Sequence, residues 1–278
     1  MKTKCLWSGV PLLLTSICMP AHALADLPRW ELGLGVGALS LPDYRGTDER
    51  RGYVLPLPYV VYRGEVIKAD REGARAQIAG LEPFHLDFTL GASVPVSSTK
   101  NQARAGMPSL AATVEAGPSL EAQLYRSADE RIRWRVRLPV SYGVTLDSGL
   151  GGNGWQASPH VNVDIAELFN VSRLNLGMRV GPLYATRQRN AYYYDVAPQY
   201  ATASRPAYRS EGGYAGAEFA AALSKRFDRY WVGAYLRYDN LSGAVFADSP
   251  LVKTRSYVAG GVGIAWVLGQ STERVSPD

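Results

Sequence analysis

Residues 131–142 read Arg-Ile-Arg-Trp-Arg-Val-Arg-Leu-Pro-Val-Ser-Tyr, with four arginines alternating without a slip against Ile132, Trp134, Val136 and Leu138. Only a repeat of two gives that pattern. In an extended chain successive side chains point to opposite faces, so Arg131, Arg133, Arg135 and Arg137 share one surface and the large apolar groups share the other. A helix would scatter the same charges around its axis, so the stretch is predicted to be a strand. Two architectures accept such a strand. A water-soluble sandwich turns the apolar face to its core and the arginines to water. A membrane barrel turns the apolar face to lipid and encloses the arginines, which then need acidic partners.

The neighbouring segments favour enclosure. In 113–125, Thr113, Glu115, Ser119, Glu121 and Gln123 oppose Val114, Ala116, Leu120, Ala122 and Leu124. In 156–165, Gln156, Ser158, His160, Asn162 and Asp164 alternate with apolar residues and Pro159. As successive antiparallel strands, these put Glu115, Glu121 and Asp164 beside the arginines on their own face. Similar alternation runs through 30–39, 84–94 and 173–184, where Arg179 lies on the polar side, and strands at 214–224 and 230–240 bring Glu218, Arg237 and Asp239. The resulting ladder has two readings: a salt-bridged plug of the kind that fills small barrels, or a narrow anion-preferring pore, since tracks of arginine select anions.

The chain begins with Lys2 and Lys4 ahead of an apolar run from Leu6 to Met19, and Ala21-His-Ala23 and Ala23-Leu-Ala25 both offer small-x-small cleavage sites. Residues 1–25 are therefore predicted to be a secretory signal peptide. Both cysteines, Cys5 and Cys18, lie inside it, so the mature chain has no thiol for disulfide, metal or nucleophilic chemistry. Without Lys2 and Lys4, the 30 basic side chains fall to 28 against 25 acids, a balance that does not point to nucleic acid. After residue 25 no apolar run approaches the roughly 20 residues that a transmembrane helix needs.

Turn-rich segments alternate short and long, as tight periplasmic turns and long outer loops would. If turns at 63–64 and 81–83 lie on one side, 65–79 must be a hairpin. That parity gives a transmembrane antiparallel up-and-down β-barrel of twelve strands over 26–268, or ten if the hairpin stays out of the wall, followed by a polar periplasmic tail at 269–278. Pro56 and Pro58 within 53–62 remove two ladder donors and predict a lightly paired strand.

Several words in the sequence resemble those of the MipA/OmpV family of outer-membrane proteins. They are Pro42-Asp-Tyr44-Arg-Gly46-Thr-Asp48 followed by Leu55-Pro-Leu-Pro-Tyr59, Thr113-Val-Glu-Ala-Gly117, Tyr194-Asp-Val196-Ala-Pro198, and Asn240-Leu-Ser-Gly-Ala-Val-Phe-Ala-Asp248-Ser249-Pro250-Leu-Val252. They occur in order across nearly the whole mature chain. Two departures stand out. Family members usually stop at an aromatic residue ending the last strand, whereas this chain runs on past Trp266 to Asp278, and the family's Phe-Gly is Tyr194-Asp195 here. The resemblance implies a non-enzymatic outer-membrane scaffold for murein synthesis, with a lytic transglycosylase and a penicillin-binding synthase as partners and no cofactor.

Other candidate chemistry is thin. His160 shares a face with Ser158 and Asp164, but residues two apart on a strand stand about 6–7 Å from each other, too far for nucleophile and base to touch. Asp43, Asp48 and Glu49 sit among Arg45, Arg50 and Arg51 in what reads as a solvated loop, and no metal site is expected. A loop at 187–212 carries Arg187, Arg189, Arg205 and Arg209, suited either to lipopolysaccharide phosphates or to plain solvation.

Overall fold

The computed structural model describes residues 27–63, 67–70, 73–76, 79–81, 84–147 and 149–275. The signal-peptide expectation for 1–25 and the tight turns at 64 and 82–83 fall outside them. Within them the chain is an antiparallel sheet in which sequence neighbours are sheet neighbours. Trp30–Pro42 pairs Arg50–Arg63, Thr113–Arg126 pairs Ile132–Thr145, and Leu174–Ala185, Gly213–Arg226 and Tyr230–Asn240 follow in order. Ser256–Gln270 then returns beside Trp30–Pro42.

A single layer buries one of its faces only by curling on itself, and here the buried face is the polar one. Arg137 is 1% exposed, while Trp134 and Leu236 are 44% and 51% exposed. Leu32, Leu34, Phe88, Leu120, Val180 and Val262 face outward in the same way. The ends of the strand order approach each other, since Gly73–Ala76 runs beside Phe84–Ala92, although no ladder joins those two among the described residues. No described helix is long and apolar enough to cross a membrane.

Four local differences from expectation have physical reasons. Arg50–Arg63 is paired with Trp30–Pro42 from Arg50 to Tyr62. Its other edge is paired only at Tyr62 and Arg63 among the described residues, so at Pro56 and Pro58 the strand has a described partner on one side alone. The strand at 156–165 is two pieces, Gly152–Ala157 and His160–Ile165, broken at Ser158 and Pro159, and both pair with Ile132–Thr145. Gln123 stands opposite the inward Arg135 yet is exposed, next to a register slip between Gln123 and Tyr125 that leaves Leu124 as the extra residue of a bulge near the strand's end. The last strand runs to Gln270 rather than 268, and beyond it Arg274–Val275 pairs Leu27–Pro28, with an Arg29–Glu273 ion pair at 2.8 Å alongside.

The long connections at one end form a second body, a lid on the wall that the strands make. Segments 43–49, 93–112, 186–212 and 241–255 bury Tyr44, Val96, Leu110, Tyr194, Leu241, Phe246 and Leu251 in a common apolar core over that mouth of the sheet. The 187–212 loop contains a helix, Arg187–Tyr194.

Candidate functional site

The interior begins with the arginine strand. Arg135 lies between two carboxylates, Glu121 at 3.4 Å from the preceding strand and Asp164 in close contact from the following one. Arg137 shares Glu121 at 3.3 Å and reaches Asp87 at 4.0 Å. Glu121 thus serves two buried guanidiniums at once. Arg133 stands 3.7 Å from Glu130. Arg131 departs from the ladder, because the strand starts at Ile132 and Arg131 belongs to the turn, against Asn170 at 2.6 Å and Glu167 at 3.4 Å.

The other charged residues form a separate chain. Arg179 pairs Glu218, Glu218 lies 3.8 Å from Arg237, Arg237 binds Asp239 at 2.7 Å, and Asp239 binds Arg45 from the lid at 2.8 Å. Glu115 does not meet the ladder. It pairs with Arg189 of the lid helix, whose Nε donates to Gln156 at 3.0 Å. The Arg45–Asp239 and Arg189–Glu115 ion pairs, with Arg51–Asp43 at 2.5 Å, tie the lid to the wall.

The words singled out in sequence come together in that lid. The Tyr44 hydroxyl donates to the Leu251 carbonyl at 2.8 Å, the Tyr194 hydroxyl to the Arg45 carbonyl at 2.9 Å, and the Ser249 hydroxyl to the Tyr194 carbonyl at 2.7 Å. Tyr194 stacks on Phe246 with ring centroids 3.7 Å apart. Gly46, at φ +91°, accepts from the amides of Lys253 and Thr254, and a Cβ there would meet Leu241 at 2.9 Å, so this turn takes glycine for both shape and space. Val196 is buried and bridges Tyr208, whereas Asp48, Pro198 and Asp248 are exposed and Pro42 and Pro250 half-buried. Burial pushes the Tyr44 and Tyr194 hydroxyls well above the usual tyrosine range, and burial beside Tyr193 raises Tyr192 to about 12.

A family model described as MltA-interacting protein MipA matches residues 34–268. The chain belongs to the MipA family. No curated protein matches it. Among solved structures it is similar to the P. putida toluene transporter TodX, with 10% identity, a TM-score of 0.31, and coverage of 92% of this chain and 71% of that one. It is also similar to the Ralstonia pickettii toluene transporter TbuX, with 9% identity, a TM-score of 0.27, and coverage of 90% and 71%. At such TM-scores the likeness carries no argument about strand number or cargo.

MipA proteins are non-catalytic interaction proteins, and the family name implies interaction with the lytic transglycosylase MltA. The residues that resembled a hydrolase are engaged differently here. His160 Nδ1 lies 2.6 Å from the backbone carbonyl of Ser158, and Asp164 pairs with Arg135. The acidic loop is not simply solvated: Asp43 is buried, clasped by Arg51 and by Asn101 at 2.9 Å. Nor do the loop arginines form one patch. Arg187 pairs with Asp195, Arg189 is buried, and Arg205 donates to the carbonyls of Tyr200, Ala103 and Ala105. Sequence reasoning missed Arg45, Asp87 and Arg189 as members of the charge network. Asp87 carried a signal, its inward parity on its strand, but the two lid arginines carried none.

Proposed function

We propose that the chain is an exported outer-membrane β-barrel that serves, without catalysis, as a scaffold for murein-synthesis enzymes. The observation that carries the membrane reading is the inversion of burial: leucines, valines and tryptophans of successive strands face outward while arginines and carboxylates are enclosed. In water such a belt would be an association or aggregation surface. In hydrocarbon it is the required exterior.

The wall closes with twelve strands on this reading. Ala79–Leu81 pairs Phe84–Ala92 with Ala79 opposite Leu86, and Gly73–Ala76, which precedes it by two residues, pairs Ile67–Asp70. Carried on, that register sets Gly73–Ala76 against 89–92, within the strand Phe84–Ala92 that it already runs beside. That placement brings the two ends of the sheet together.

The lid then faces outward, and the short turns at 127–131, 166–173 and 227–229, with residues 27–30 and 271–275, face the periplasm, where a lytic transglycosylase and a penicillin-binding synthase would dock. Ion pairing of Arg135 and Arg137 supports a filled interior over an anion path. The signal-free chain, refolded in detergent, is expected to be retained by an immobilised MltA-type transglycosylase. Replacing 166–173 with a Gly-Ser turn is expected to abolish retention while the heat-modifiable folded band persists. A chain that stays folded and monomeric in detergent-free buffer overturns the membrane reading, and a folded chain that is not retained overturns the scaffold reading.

A further inference from the structure

The turn that joins His160–Ile165 to Leu174–Ala185 keeps four non-glycine residues in the left-handed region, Glu167 at φ +46°, Phe169 at +57°, Asn170 at +59° and Arg173 at +59°. Elsewhere among the described residues only Glu130 and Leu150 do the same. A side chain strains the backbone there, so such residues persist only where their surroundings hold them, and they gather at clamps and recognition sites. This turn is held from both sides. Arg131 donates to the Asn170 side chain at 2.6 Å, lies 3.4 Å from Glu167 and offers its own carbonyl to the Ala166 amide at 2.8 Å. At the other end the Arg173 carbonyl accepts from the Arg226 amide at 3.2 Å.

What the turn holds out is Phe169, which is 84% exposed, more than any other large apolar side chain among the described residues. The outward aromatics of the neighbouring strands sit within the ladder, where Tyr125 stands opposite Trp134 and Trp134 opposite Val163. Ile165, opposite Ile132, ends that pairing, and Phe169 comes four residues later, past Glu167 and beside Asn170, both engaged by Arg131. An aromatic that serves a lipid interface belongs to the girdle at the edge of the apolar belt. This ring stands beyond a collar of polar and charged groups. The adjoining turn is basic, since Lys225, Arg226 and Arg229 surround Asp228, which pairs with Arg173 at 3.2 Å.

We propose that Phe169 is the anchor by which the transglycosylase is gripped, its ring entering an apolar pocket of the partner whose rim is acidic. This rests on the scaffold reading and adds to it the residue that binds and the kind of surface that it fits. A ring fixed in place before contact is bound at little ordering cost, and a few such anchors carry most of an interface's affinity. The surrounding cations act differently, through encounter rate and salt dependence.

The test is calorimetric titration of the full mature chain in micelles with the same MltA-type transglycosylase. Phe169→Ala is expected to weaken binding at least about thirtyfold, the size of an interface hot spot. Phe169→Asn should do the same, and because asparagine tolerates left-handed backbone the loss then belongs to the ring and not to the shape of the turn. Arg229→Gln should weaken binding only about twofold to threefold at low salt, and make the affinity less sensitive to added salt. Both ring variants should keep the heat-modifiable folded band, since the ring they remove is exposed. A smaller loss in either ring variant overturns the anchor, and if those variants instead lose stability in vesicles the ring serves the lipid interface. Affinity indifferent to salt overturns the acidic rim. Failure of the unaltered chain to bind removes the scaffold reading and the anchor together, whereas binding that survives both ring variants removes the anchor alone.

Discussion

Along Ile132–Thr145 the buried side chains include Arg133, Arg135 and Arg137 while Trp134 and Leu138 are exposed, whereas in the lid Leu241, Phe246 and Leu251 are buried and Asp48, Asp248 and Arg255 stand outside. One chain therefore holds two opposite burial rules a few residues apart. The lid follows the rule for a body standing in water, with an apolar core and charged surface. The wall follows the rule for a layer with hydrocarbon outside. On the membrane reading proposed above, what switches is the medium, and the boundary falls where the strands end and ion pairs such as Arg45–Asp239 and Arg189–Glu115 join the two parts.

The largest expected effect comes from unbalancing the enclosed charges. Glu121→Gln removes the carboxylate shared by Arg135 and Arg137, leaving buried positive charge under-neutralised, and is expected to cost about 3–5 kcal/mol in urea unfolding from lipid vesicles. The same change to a lid pair exposed to water, Asp248→Asn opposite Arg255, is expected to cost no more than about 1 kcal/mol. Equal costs would erase the distinction between the two bodies.

A second substitution probes the exterior of the wall. Leu236, half exposed on Tyr230–Asn240, is expected to cost about 2–4 kcal/mol when changed to Arg if it lies near the mid-plane of a bilayer. At a water-facing position the same change falls within about 0.5 kcal/mol of neutral. Refolding yield and stability in vesicles separate the two, and an unchanged stability would place water, not lipid, against this face.

These two parts were not equally legible in the amino-acid order. The wall was readable because period two is local: Arg133, Arg135 and Arg137 declare their common face within five residues, and Glu121 and Asp164 declare theirs on adjacent strands. The exceptions are where a local rule is interrupted, as at the Gln123–Tyr125 bulge and the Ser158-Pro159 break. The lid was not readable in this way. Its core joins Tyr44, Tyr194, Leu241 and Leu251 across some two hundred residues, and none lies in a periodic stretch. Only the family words pointed to these loops, without saying that they pack together. Arg45 and Arg189 escaped for the same reason, since their partners Asp239 and Glu115 lie far off in the chain.

The smallest effect, and the one specific to the lid, is a response to alkali. Tyr192 donates its hydroxyl to the Ala111 carbonyl at 3.1 Å, and burial raises its pKa from 10.0 to about 12. A folded pKa above the unfolded one means that the folded lid holds its proton longer than the opened lid does. Its contribution is complete below pH 10 and is lost as pH rises from 10 toward 12, with the Tyr44 and Tyr194 hydroxyls shifted in the same direction. The wall arginines do not deprotonate in that range, and although the wall also holds a buried tyrosine proton, Tyr59 to Glu31 at 3.0 Å, its backbone ladder does not titrate. Raising the pH should therefore loosen the lid first, seen as tyrosinate absorbance and protease cleavage within 241–255, while the far-ultraviolet β signal stays. Tyr192→Phe keeps the ring but has no proton to lose, so it should delay that opening. Simultaneous loss of lid and wall would mean that the ion pairs between them, rather than the lid's own core, hold it shut.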